Sequence, residues 1–290
     1  MSLLQLFFPP HVIWPWWMAI LTLMVLLWYR SGVRCLDAHV KPVPHIRQFW
    51  TYAGILIGFF AVIPPIDSVA DSLYVVHMLQ HFLLEMITPF CLALGAPLAP
   101  LVAGMPEWIR HRMFVPVVRN RKVRGLYRFF IHPVTAALLF AGVCGFWLLP
   151  HPFDATVRSG TIDDLCHLTL LIVGLFFWWM VLDPRNRRPR AYLLHFLILM
   201  ILMNFFIVIA AYITMTGQDL YPVYNLTSPA WGFPEAVDQQ LGGLLLWIPG
   251  SLVHVLGAII IFRRWIRDDE MRHARTPVPG IDPALPVNDA

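Results

Sequence analysis

Apolar runs of membrane-crossing length alternate with short polar segments along most of the chain. A crossing helix needs about 20 mainly apolar residues. Seven windows meet that need: residues 12–29, 48–66, 72–94, 132–150, 161–182, 191–213 and 236–262. Their flanks agree. Trp14, Trp16 and Trp17 open the first window and Trp28 and Tyr29 close it, as amphipathic aromatics do at a membrane interface. Pro64 and Pro65, then Pro150 and Pro152, stop two others, because proline cannot extend a helix cleanly. The pattern predicts an all-α fold, a polytopic transmembrane bundle of seven helices over residues 1–262. A polar, proline-rich, disordered tail is expected at 263–290.

The basic residues orient these windows. Arg30, Arg34, Lys41 and Arg47 follow the first window, and Arg110, Arg112, Arg119, Arg121, Lys122, Arg124 and Arg128 follow the third. Arg185, Arg187, Arg188 and Arg190 follow the fifth, and Arg263, Arg264, Arg267, Arg272 and Arg275 follow the last. Arg158 alone falls on the other side, so 20 of the 21 Lys and Arg share one face. The positive-inside rule then places the N-terminus outside and the C-terminus in the cytoplasm. Losing or adding one window would scramble this partition.

Composition narrows the picture further. Only 13% of residues are charged against about 25% in a soluble domain, and 58% are hydrophobic. The net charge of +4 would suit nucleic acid, but it sits in short loops between apolar runs, so the lipid bilayer is the expected partner and nucleic acid is not. No basic stretch or small-residue cleavage site precedes residue 12, so no removable signal peptide is expected. The four cysteines form no Cys-x-x-Cys pair and read as small buried hydrophobes rather than disulfides. Segment 107–130 mixes Trp108, Phe114 and Tyr127 with arginines, and reads either as a helix on the anionic inner leaflet or as a solvated loop that only sets orientation. The outer loop 214–235, with Tyr221, Tyr224, Trp231 and Phe233, is placed to lid a site or meet a partner.

Chemistry concentrates in one layer. His77 and His81 are four residues apart, so a helix projects both imidazoles from one face, where they can ligate a single metal ion. Counting about 1.5 Å per residue from the outer ends, His77 and His167 lie roughly 9 Å deep and His81 roughly 15 Å. These three are the expected metal ligands. Met78 and Cys166 border them with soft sulfur, which with imidazole suits Cu(I). Asp238, Gln239 and Gln240 open the seventh window in the same layer, and Asp238 is expected to accept a hydrogen bond from a ligating imidazole. Glu85 lies one turn below His81, where membrane depth requires it to be protonated or paired. Each has a plainer reading: a lone histidine as interhelical glue, Asp238 as a favourable first-turn acid, Gly242-Gly243 as close packing. A second set near the inner surface, His132, His195 and His254, reads as ordinary helix-end and packing residues.

These residues resemble the CtaG family of cytochrome c oxidase assembly factors, of the kind associated with caa-type oxidases. The resemblance runs over about residues 50–262. It is carried by His77-Met78-Leu79-Gln80-His81, Thr88-Pro89, Gly95-Ala96-Pro97, Phe177-Trp178-Trp179 and Asp238-Gln239-Gln240-Leu241-Gly242-Gly243, continuing to Trp247-Ile248-Pro249-Gly250. It implies a multi-pass protein of the bacterial cytoplasmic membrane that helps mature a haem–copper oxidase through its copper, with oxidase subunits and other copper chaperones as partners. The family's helix 5 often reads His-x-x-Glu-His, whereas Asp163 and Cys166 stand before His167 here. Two other classes compete. An intramembrane zinc hydrolase would use the histidines to hold zinc and Asp238 as base. A haem-b electron carrier would pair His77 or His81 with His167 as axial ligands.

Overall fold

The computed structural model describes residues 16–39, 42–64, 66–183 and 189–273, and all its secondary structure there is helical. The long elements are α1 (Trp16–His39), α2 (His45–Ala61), α3 (Tyr74–Gly95), α4 (Arg121–Phe130), α5 (Pro133–Trp147), α6 (Gly160–Leu182), α7 (Pro189–Met215) and α8 (Glu235–His273). Among the described residues five helices are long and apolar enough to cross a membrane: α1, α3, α6, α7 and α8. Taken as one span, the pair α4 and α5, bent by 64° at its break, would be a sixth. α2 has 17 residues and is the shortest apolar run of the set after the 15-residue α5.

Two boundaries differ from the sequence expectation. α1 continues ten residues past 29, to His39. α8 has 39 residues and runs on through 263–273, the first part of the stretch expected to be disordered. Tertiary contacts hold that extension: Arg264 donates to the Leu182 carbonyl at 2.7 Å, and Tyr192 donates to the Asp268 carboxylate at 2.6 Å. Residues 274–290 lie outside the described residues, as do Trp14 and Pro65. Segment 107–130 is helical, with Val123, Leu126 and Phe129 exposed among its arginines.

Large apolar side chains face outward along the long helices. Leu197, Ile201, Phe205, Val208 and Tyr212 line one face of α7, and Ile248, Leu252, Leu256 and Ile259 line one face of α8. Such a continuous apolar exterior is stable only against hydrocarbon. This is a multi-pass membrane protein.

α3 is not a regular helix. Pro89 has no N–H to offer the Glu85 carbonyl, and the ladder widens into a π-turn over Leu83–Ile87. Gly174 of α6 fills the space beside it. A side-chain carbon at Gly174 would run into the Glu85 carbonyl oxygen and the Pro89 ring, so glycine allows α6 to lie directly on α3. Gly242 plays the same part between α8 and α3, where a methyl would meet the Tyr74 ring. These two contacts set α6 and α8 directly against α3.

Candidate metal centre

His77 and His81 project from the N-terminal half of α3 towards Asp163 and His167 in the first three turns of α6. The ring centroids of His77 and His81 are 4.6 Å apart, those of His77 and His167 6.0 Å, and those of His81 and His167 5.5 Å. One ligand atom from each of His77, His81, Asp163 and His167 lies within 4.8 Å of every other. Ligands around a tetrahedral ion with bonds near 2.1 Å sit about 3.4 Å apart. The four are therefore spaced somewhat wider than such an ion would need. This is the one such group among the described residues.

The donors are unsatisfied. His77 Nε2, His167 Nε2 and Asp163 Oδ1 are buried and make no hydrogen bond. His77 Nε2 faces Asp163 Oδ1 at 3.5 Å, and His167 Nδ1 faces Asp163 Oδ2 at 3.3 Å. Tyr224 of the loop 214–235 contacts the other His77 nitrogen. Its hydroxyl donates to the Ala70 carbonyl at 3.2 Å and lies 2.8 Å from His77 Nδ1. A hydroxyl has one proton, so if that proton is on Ala70 it accepts from His77 Nδ1–H and Nε2 carries a lone pair, whereas if it is on Nδ1 the Nε2 atom carries the proton. Burial keeps the Tyr224 phenol well above its usual range, so it stays protonated. In the first tautomer a cation between the Nε2 lone pair and the Asp163 carboxylate would relieve their repulsion.

The loop 214–235 closes the site together with Phe153 of the short helix Pro150–Arg158. Tyr221 stacks on Tyr74 at 4.3 Å and donates to the Leu148 carbonyl at 2.8 Å, while Phe153 packs against both the His77 and His81 rings. The loop is thus a lid, with Tyr224 as its polar contact.

The remaining expected residues divide. Cys166 comes near, its Sγ 3.5 Å from His81 Nε2. Met78 does not: it is buried in the apolar cluster with Tyr74 and Leu246, beside Gly242. Glu85 is hydrogen-bonded to Cys144 of α5, away from the histidines. Asp238 is 1% exposed, and its role differs from the one expected. Its carboxylate accepts the Tyr74 and Val75 backbone N–H groups at 2.8 and 2.9 Å and the Ser228 hydroxyl, capping the start of α3 instead of a ligand imidazole. Gln239 ties the lid down, accepting from Leu220 N–H at 2.9 Å and donating to the Gln218 and Ile213 carbonyls. Gln240 is exposed. Of the remaining histidines, His254 bonds the Gly250 carbonyl among aromatic rings, His195 is buried separately, and His132 stands at the N-cap position of α5 without a side-chain hydrogen bond to it.

Asp163 and Tyr224 were missing from the sequence-derived site. Asp163 carried a usable signal, since Asp163-x-x-x-His167 repeats the His77-x-x-x-His81 spacing. Tyr224 carried none beyond its place in an aromatic loop.

The model of the cytochrome c oxidase caa3 assembly factor family (Caa3_CtaG) matches residues 27–268. The chain belongs to that family. The match contains all four clustered residues. This CtaG-family chain is also similar to an uncharacterized protein of Mycobacterium leprae, 28% identical over 229 residues, covering 72% of this chain and 33% of the relative. An uncharacterized protein of Mycobacterium bovis is 26% identical over 268 residues, covering 85% of this chain and 39% of the relative. The chain thus spans between a third and two-fifths of the length of these curated relatives. No solved structure matches.

Proposed function

We propose that this chain is a non-enzymatic assembly factor for a haem–copper oxidase, in the bacterial cytoplasmic membrane, that holds copper and passes it on. His77, His81 and His167 with Asp163 hold the ion, and Cys166 beside His81 offers a soft donor through which it leaves by ligand exchange. The observation that carries this reading is the set of buried, unsatisfied donors converging on one point. Two facts weigh against the competing classes. The base a zinc hydrolase would need, Asp238, is committed to capping α3. A haem would need open space beside the paired imidazoles for its porphyrin, whereas Phe153 packs on both the His77 and His81 rings. Oxidase subunits and other copper chaperones are the partners that fit this role.

Two experiments test it. Metal analysis of the purified protein should find about one copper per chain. A strain lacking the protein should assemble an oxidase poor in copper, partly restored by excess copper in the medium. Metal-free protein together with normal oxidase would end the copper reading. The topology proposed with it has seven crossings, adding α2 and the bent α4–α5 unit, with the N-terminus outside. A reporter fused after Glu270 should be cytoplasmic and one in the 214–235 loop exposed outside. Both on the same side would require an even number of crossings between them, and with it a different depth for the site.

A further inference from the structure

A cavity of about 710 Å³ opens beside the cluster, between α2, the short helix Ile66–Ala70 and α6. Its outer wall carries four carboxylates, Asp67, Asp71, Asp163 and Asp164, against one cation, Arg158. Arg158 stands 3.9 Å from Asp154, which partly occupies its charge. Two of the clustered residues, Asp163 and His167, line this cavity, while His77 and His81 lie behind them. His167 is 7% exposed and its Nε2 has no hydrogen-bond partner. Asp67 is held in place by Gln80, whose amide donates to it at 3.0 Å, and Gln80 directly precedes His81. Carboxylates thus lead from the cavity mouth to an unsatisfied imidazole.

We infer that this cavity is the loading vestibule of the metal centre, and that it admits a divalent transition-metal cation, which Asp67 and Asp71 draw in and hand to Asp163 and His167. The inference rests on the metal-centre reading above and adds the route and the charge state. The donors on the route are oxygen. Hard carboxylates favour a doubly charged ion, whereas a Cu(I) path would be lined with thioether and thiolate sulfur. Met18 is the one sulfur residue lining the cavity, and Met78 and Cys166 do not line it. A cleft of one charge sign focuses the field and raises the association rate of an oppositely charged ligand, by a factor that falls with salt. The carboxylate pair therefore acts on the rate of loading more than on the final affinity. Burial pushes Asp67 up to about 6, so it is ionised at neutral pH.

The test uses the full chain in detergent or nanodiscs and follows Cu2+ uptake by tryptophan quenching in rapid mixing. The double variant Asp67→Asn, Asp71→Asn should load about tenfold more slowly than the parent at low salt and reach the same copper per chain. The gap should narrow as salt is raised. Arg158→Gln, which removes the opposing charge, should load faster, and it keeps the test open where the double variant folds poorly. Unchanged loading rates in both variants, or a parent rate independent of salt, would overturn the vestibule while leaving the centre intact. A parent that takes up Cu(I) but no Cu2+ would overturn the vestibule while leaving the centre intact, and a parent that takes up neither would remove both.

Discussion

His167→Ala should lower metal affinity by more than about 100-fold, and His77→Ala should do the same. Losing a direct ligand exceeds the roughly 10–100-fold cost of removing a group that only orients one. In free energy that is more than about 2.7 kcal/mol. Tyr224→Phe gives the calibrating case. It removes the hydroxyl that lies 2.8 Å from His77 Nδ1 while leaving the ring, so it should fall inside that 10–100-fold range. His132→Ala, at the far end of α5, should match the parent. Equilibrium copper titration against a competing chelator reads all four. Parent-like affinity in a variant lacking both His77 and His167 would show that these rings share no ion.

Asp238→Ala should cost stability before it costs metal. Its carboxylate serves two backbone N–H groups at the start of α3 and one hydroxyl, all in a site 1% exposed. Each buried donor left unpaired costs about 1–3 kcal/mol, so the variant should lose roughly 3–9 kcal/mol. Asp238→Asn keeps one acceptor oxygen but loses the negative charge at a helix N-terminus, and should lose roughly 1–2 kcal/mol. Unfolding midpoints in detergent, read beside copper content, separate the two possible roles. A variant with the parent's midpoint but no copper would return Asp238 to the metal site. The cap matters to the centre indirectly, because His77 sits one turn into the helix it anchors.

Particular residues show how far the site could be read from one dimension. The pairing of His77 with His81 follows from helical spacing alone. His167 was reached by depth, counting residues from the outer end of its window, and its ring does lie within 6.0 Å of both others. Asp163 shares the spacing rule but was passed over as a departure from the family pattern, although an oxygen donor serves where the family often has a nitrogen. Asp238 was placed in the right layer with the wrong partner. Its acceptor role spans 164 residues of sequence, and no local pattern distinguishes a carboxylate that caps its own helix from one that caps another. Met78 shows the opposite error, since adjacency to His77 along the chain puts it on a different helix face, turned towards α8.

The sequence by itself determined the all-helical, multi-pass character, because run length and apolar content are properties of consecutive residues and hydrocarbon tolerates little else. It also determined which donors share a helix face, since helical periodicity is local. Which faces meet was decided only in three dimensions. The π-turn forced by Pro89 and the close approach at Gly174 set α6 against α3, and that contact turns Asp163 and His167 towards His77 and His81. The lid that places a hydroxyl against His77 likewise depends on a loop folding back across 147 residues. Packing between distant segments depends on shape and burial across the whole bundle, and no window of the chain contains that information.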